Sequence, residues 1–185
     1  RVGRTADLVR FGLEAGFQVH PVQPLRADGE VVSSTRIRQR IQGGDVHGAS
    51  RYLGRYYSLS GVVVTGEQRG QTLGWPTANL KLPPDRVIPA DGVYATKTLW
   101  GTRTFESVSY IGTRPTFGAG ERLLEVSLLD AQENLYGQTI RVEFVERVRG
   151  DQTFHSAEEL AAGIERDVRQ ARQALKADPQ PVPGS

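Results

Sequence analysis

From Tyr57 onward the chain is a succession of β-rich runs with no helical segment between them. "YSLSGVVV", "GVYATKTLW", "RTFESVSYIG", "RLLEVSLLD" and "TIRVEFVERV" are separated by stretches carrying Gly, Pro, Asn and Asp, the punctuation of strands and turns. Parallel neighbours would need a crossover of about a dozen residues or more, so the spacing predicts an antiparallel sheet. Closing that sheet on itself removes its exposed edges. In "TIRVEFV", Ile140, Val142 and Phe144 alternate with Arg141 and Glu143, so one face of this strand is apolar and the other polar. The expected fold class is therefore mainly β, a closed antiparallel barrel.

A helix follows the strands. Ser156 and Glu159 have the spacing of a capping box, and Leu160, Ile164, Val168, Ala171 and Leu175 form an apolar stripe at helical period. "DPQPVPGS" then reads as a disordered tail, assigned to residues 176–185. The first third differs in kind. "TADLVRFGLEAG" predicts a short helix, "FQVHPV" a brief strand, "RADGEVV" a turn, and "SSTRIRQRIQGG" and "DVHGASRYLG" two further helices. Residues 1–56 read as the end of an α/β domain and residues 57–175 as a separate barrel domain.

Composition excludes several classes. The 185 residues include no cysteine, which removes disulfides and thiolate metal sites. His20, His47 and His155 are too scattered for a His-based zinc site. No stretch approaches the roughly 20 apolar residues of a membrane helix and nothing resembles a signal peptide, so the cytoplasm is the expected compartment and no membrane partner is expected. Nine arginines face five acids in residues 1–56, against fourteen basic residues and sixteen acids in 57–185. The slightly acidic barrel argues against nucleic acid as a partner, since such a binder shows a clustered basic face. The chain contains no methionine and starts at Arg1; it is read as part of a longer polypeptide.

The chemistry is expected in "GEQRGQTLGWPTANL", residues 66–80. Gly66, Gly70 and Gly74 let backbone amides approach a polyanion, and Arg69 adds a permanent charge able to grip two phosphate oxygens. Pro76 stiffens the chain before Thr77 and Asn79, whose hydroxyl and amide oxygen are hard neutral donors suited to Mg²⁺. This is a candidate nucleotide-phosphate site without the Gly-Lys-Ser/Thr of a Walker loop. A glycine-rich barrel corner with an Asn in a turn is the structural alternative.

"RGQTLGWPTANL" resembles the signature of the riboflavin kinase family, and "IPADGVYA", "YIGTRPTFG", "LLEVSLLDAQENLYGQTIRVEFVERVR" and the final helix follow in that family's order, over about residues 57–172. The resemblance implies a six-stranded antiparallel Greek-key barrel with a helix packed on it. It implies that Thr77 and Asn79 hold the divalent cation carried by ATP (Mg²⁺, with Zn²⁺ also suited to oxygen donors), and that Gly66, Arg69, Gly70, Gly74 and Pro76 form the arch over the nucleotide phosphates. Glu125 matches the family's catalytic base. Thr113, Arg114 and Pro115 fall in a loop beside the active site. Arg149, Asp151 and Phe154 match a segment bordering the flavin, whose usual pattern is Arg-x-Glu-x-x-Phe; here Asp151 is one methylene shorter than that Glu.

Glu125 also has a case of its own. It shares a strand face with Leu123 and Leu129, where partial desolvation of a carboxylate favours its protonated form and makes it a better acceptor of a proton from an alcohol. A solvated outward face is the structural alternative. The implied reaction is transfer of the ATP γ-phosphate to the terminal ribityl hydroxyl of riboflavin, giving FMN, with positioning and electrostatics supplying most of the acceleration. Two other classes compete: a non-catalytic barrel that binds flavin or nucleotide, and a nucleic-acid-binding barrel.

"RVGRTADL" and "VSSTRIRQRI" resemble the closing motifs of the FMN adenylyltransferase domain that precedes this kinase in bacterial bifunctional enzymes. Ser33, Ser34, Thr35, Arg36 and Arg38 match its Ser-Ser-Thr-x-Ile-Arg motif, where hydroxyls and helix-N-terminal amides meet ATP phosphates; a plain helix cap is the alternative. None of the three histidines has a partner at the spacing of that domain's His-x-x-His-type motif. The resemblance thus implies that residues 1–56 are a remnant whose N-terminal counterpart is missing, that this chain does not make FAD, and that apolar helix faces are left uncovered.

Overall fold

The computed structural model describes residues 4–27, 29–64, 77–82, 84–113 and 122–178. The chain divides into two compact units, residues 1–32 and 33–185.

In the first unit, helix α1 (Thr5–Ala15) stops at Gly16, whose left-handed φ of 78° lets its amide return to the Gly12 carbonyl. Strands β1 (Arg26–Ala27) and β2 (Glu30–Val31) pair antiparallel across the predicted turn. The strand expected at residues 17–22 does not form. "FQVHPV" has a β-like composition, but a strand needs a ladder partner, and Pro21 offers no amide to one. Leu8, Phe11, Leu13, Phe17, Val22 and Leu25 are exposed, Leu13 to 80%.

The second unit opens with α2 (Ser34–Gln42) and α3 (Val46–Leu53), each capped by a side chain: Ser33 Oγ accepts from the Arg36 amide at 3.3 Å and Asp45 Oδ1 from the Gly48 amide at 2.8 Å. Strands β3 (Tyr57–Val64), β4 (Ala78–Lys81), β5 (Gly92–Trp100), β6 (Arg103–Thr113), β7 (Arg122–Leu128) and β8 (Thr139–Gly150) then close into an antiparallel barrel of order β3-β4-β7-β6-β5-β8. The fold class is as expected. Five of the six staves coincide with the β-rich runs, whereas β4 lies inside the stretch read for ligand chemistry. Helix α4 (Ala157–Ala177) packs on the outside over β5, β6 and β8.

Alternation sorts the barrel into two cores. Leu59, Leu80, Tyr94, Ile111, Leu124, Val126, Ile140, Val142 and Phe144 point inward and pack together, joined from α3 by Val46, which is fully buried. Thr96, Thr98, Ser107 and Ser109 are also buried and bond one another through hydroxyls 2.8 Å apart, so the polar atoms on this stretch of β5 and β6 are satisfied. A second core, outside, joins Tyr56, Ala95, Leu129 and Val145 to Val168, Ala171 and Leu175 of α4, the last three as the helical stripe predicted.

The cap of α4 differs in one arm from the expected capping box. Ser156 Oγ accepts from the Glu159 amide at 3.1 Å, but Glu159 Oε2 accepts from the amide of His155 at 2.9 Å, not from that of Ser156. At the other end α4 runs through Ala177, past the start expected for the tail. Asp178 accepts from Tyr56 Oη and, at 2.8 Å, from Lys97 Nζ. Residues 179–185 lie outside the described residues. No described helix is long and apolar enough to cross a membrane.

Candidate active site

Leu124 and Val126 face the lumen, so Glu125, with its neighbour Leu123, faces the outer wall. It is nevertheless 8% exposed: the site is outward but not solvated. Directly across β4–β7, its register partner is Asn79, 5% exposed. Side chains at opposed positions of an antiparallel pair start about 5 Å apart, so a carboxylate and a carboxamide adjoin in a poorly hydrated position. On the other side, across β6–β7, the partner of Glu125 is Tyr110.

Following the register further, Tyr110 opposes Val93 on β5 and Val93 opposes Arg149 on β8, while Asn79 opposes Val64 on β3. One cross-strand row on the outer wall therefore holds Arg149, Val93, Tyr110, Glu125, Asn79 and Val64. Three of the residues singled out in the sequence, Asn79, Glu125 and Arg149, lie on it, although 149 − 79 = 70 positions separate the first from the last. Thr77 is half-buried just before β4, two residues from Asn79, the spacing that returns an extended chain to the same face.

The flanks of the row are tied down by charge. Arg149 forms a two-pronged pair with Asp167 of α4, Nε to Oδ1 at 2.8 Å and Nη2 to Oδ2 at 2.9 Å, and its guanidinium lies 5.5 Å from the Phe154 ring centroid. Phe154 in turn rests on Gly163 of α4, where an added Cβ would come within 2.6 Å of the ring. Asp151 accepts from Tyr110 Oη at 2.9 Å. Burial and that bond hold the Tyr110 phenol well above its ordinary ionisation range. Below the row, Arg122 Nε donates to Asp91 Oδ1 at 2.8 Å and Arg147 Nη2 to the Asp91 carbonyl at 2.6 Å, fixing the approach to β5. Gly92 has φ 147° there, and a Cβ would collide with the Arg149 carbonyl, so only glycine fits.

Of the remaining candidates, Thr113 is exposed at the end of β6, paired in register with Arg122. Gly66, Arg69, Gly70, Gly74, Pro76, Arg114 and Pro115 lie outside the described residues. Ser33 serves as the cap of α2, with Ser34, Thr35, Arg36 and Arg38 exposed on its first turns. Sequence reasoning passed over Asp167 and Tyr110. Asp167 carried a legible signal, a carboxylate on the apolar stripe between Ile164 and Ala171. Tyr110 carried none, because its partners come from β7 and from the chain beyond β8.

These features define a closed antiparallel barrel whose polar site is on the outer wall, beside a helix, rather than in the lumen. The flavokinase family, described as riboflavin kinase, matches residues 53–175, and the chain belongs to that family. The bifunctional riboflavin kinase/FMN adenylyltransferase of Escherichia coli strain K12 is 39% identical over 175 residues, covering 92% of this chain and 56% of that protein. The Bacillus subtilis protein of the same description is 36% identical over 153 residues, 81% of this chain and 48% of that one. The chain thus spans about half the length of these relatives. Among solved structures, a macrolide-efflux protein from Streptococcus pneumoniae shares the fold with a TM-score of 0.82 and 33% identity, covering 92% of this chain and 55% of that chain.

Proposed function

We propose that this chain is an ATP-dependent riboflavin kinase, transferring the γ-phosphate of ATP to the ribityl 5′-hydroxyl of riboflavin to give FMN and ADP. The observation that carries this reading is the direct opposition of Glu125 and Asn79 on β7 and β4, both nearly shut off from water. Glu125 takes the proton of the ribityl hydroxyl as that oxygen attacks the γ-phosphorus, and the bond to the bridging oxygen breaks to release ADP. With water excluded, the carboxylate and carboxamide are oriented before the reaction begins, so little reorganisation is needed during it.

Thr77 and Asn79 would hold a divalent cation, Mg²⁺ or Zn²⁺. Both offer neutral oxygen, and among the described residues no group of three or more His, Cys, Asp or Glu could hold a metal ion. Such a donor set fits an ion that arrives with the triphosphate and is neutralised by it. When bound, the ion would offset the charge spread over the phosphoryl oxygens. Gly66, Arg69, Gly70, Gly74 and Pro76 are proposed to cover the phosphates, with Thr113, Arg114, Pro115, Arg149, Asp151 and Phe154 towards the flavin. Arg149 would contribute by fixing α4 and Phe154, since its charge is already matched by Asp167.

The proposed kinase domain is residues 57–175, with α2 and α3 packed in the same unit. Residues 1–56 are proposed to come from an FMN adenylyltransferase domain, with Ser33, Ser34, Thr35, Arg36 and Arg38 its motif. The proposed setting is the cytoplasm, where ATP is supplied, with small molecules rather than nucleic acid or membrane as partners.

The test is direct. The chain incubated with ATP, MgCl₂ and riboflavin should form FMN, resolved from riboflavin by chromatography, and Glu125→Ala and Asn79→Ala should abolish it while retaining the β-sheet circular dichroism of the parent. Flavin binding without FMN in the unaltered chain would sink the kinase reading in favour of a binding barrel. FAD should not accumulate when FMN and ATP are supplied.

A further inference from the structure

Tyr110 occupies the position on the outer wall between two carboxylates. On one side it is the register partner of Glu125; on the other its hydroxyl donates to Asp151 Oδ1 at 2.9 Å. Its ring leans along β6 over Gly112, where an added Cβ would meet the ring within 2.5 Å, so the bare glycine backbone sets the direction of the phenol. Asp151 is exposed and lies in irregular chain just past β8. Its Oδ1 accepts both from Tyr110 and, at 3.0 Å, from the amide of Gln152. Both of these bonds fall on Oδ1, so the carboxylate is held at one oxygen from two sides. An aspartate on an exposed coil would otherwise sample several rotamers; a charge-assisted bond to a half-buried phenol selects one.

We propose that Tyr110 is a positioning residue that holds Asp151 so that the carboxylates of Asp151 and Glu125 bracket the hydroxyl chain of a polyol. This rests on the kinase reading above. A polyol presents a file of hydroxyl donors, and the carboxylates of Glu125, beside Tyr110 in the sheet, and of Asp151, bonded to its hydroxyl, both offer acceptors to such a file. The row thereby gains a part that acts on the flavin substrate and not on the nucleotide.

The experiment compares Tyr110→Phe, Asp151→Asn and the double variant in the full chain. Riboflavin binding is read by quenching of flavin fluorescence, KM for riboflavin and for ATP by FMN formation, and folding by the thermal midpoint. Tyr110→Phe keeps the ring over Gly112 and removes only the hydroxyl. It should weaken riboflavin binding and raise KM for riboflavin by roughly tenfold, the scale of one hydrogen bond to a charged group, with KM for ATP unchanged. Asp151→Asn should do likewise, and the hydroxyl's effect should vanish once the Asp151→Asn change is present. The inference is overturned if Tyr110→Phe binds riboflavin as the parent does, if its loss persists in full in the double variant relative to Asp151→Asn alone, if Asp151→Asn is without effect, or if ATP suffers equally. Should the unaltered chain bind riboflavin but form no FMN, the kinase reading fails and the fluorescence titrations alone decide the role of Tyr110; an unaltered chain that binds no riboflavin overturns both.

Discussion

Replacing Glu125 by glutamine keeps the side chain's size and its place opposite Asn79 but removes the base. On the proposed mechanism, Glu125→Gln should lower kcat by about 10²–10⁴-fold, the usual worth of a positioned proton acceptor, while riboflavin fluorescence is still quenched on binding. Unchanged kcat would show that the carboxylate is not the acceptor. That Glu125 shares a face with apolar neighbours and is drawn out of water there was legible in "RLLEVSLLD". That this face is the outer wall was not, nor that Asn79 lies directly opposite. Both facts depend on which strand lies beside β7, and that pairing joins residues 125 − 79 = 46 positions apart, a distance over which hydrophobic period carries no information.

At the scale of the element, α4 is fastened to the barrel by a series of separate bonds rather than by its stripe alone. Arg149–Asp167 lies at its middle, Asp130–Arg172 further along and Asp178 at its end. Removing one partner of a buried ion pair costs about 3–5 kcal/mol, and Arg149 is partly solvated. Asp167→Ala is therefore expected to cost somewhat less, about 2 kcal/mol, seen as a lower urea midpoint. Asp130 and Arg172 are a surface pair, and the guanidinium holds the Asp130 carboxyl below its usual range. A carboxyl with a lowered folded pKa stabilises only above its unfolded pKa and loses that effect as pH falls through the folded one. The stability gap between the parent and Asp130→Asn should thus be present at pH 7 and shrink as the pH falls below the unfolded carboxyl's value of about 3.9; a gap that persists in strong acid would assign it to packing. The long strands and α4 were legible because period and caps are local. β4 was not, since four residues in a glycine-rich stretch carry no period, and the false strand at 17–22 shows composition without a partner.

For the whole molecule, Tyr56, Tyr94 and Tyr110 all have phenols raised by burial, Tyr94 to about 12. A tyrosine whose folded pKa exceeds its unfolded value contributes stability that is whole below about pH 10 and declines as pH rises towards the folded pKa. The urea midpoint should accordingly be level from about pH 7 to 9 and fall steeply above about 10, in step with the phenolate absorbance; a midpoint unchanged at about pH 11.5 would contradict their burial. Val46 adds a second expectation. Because this α3 residue fills the barrel core, a chain begun at Tyr57 should melt several degrees below one begun at Ser33, the loss of at least one buried valine. The cross-strand row of outward positions has a further consequence. It draws one residue from every stave, so separating any neighbouring pair scatters the groups that would grip a substrate. Occupancy and global unfolding are then linked by mass action: riboflavin at about 100 times its Kd should add about 2.7 kcal/mol to the entire barrel, and protection from amide exchange should rise in strands that never touch the ligand.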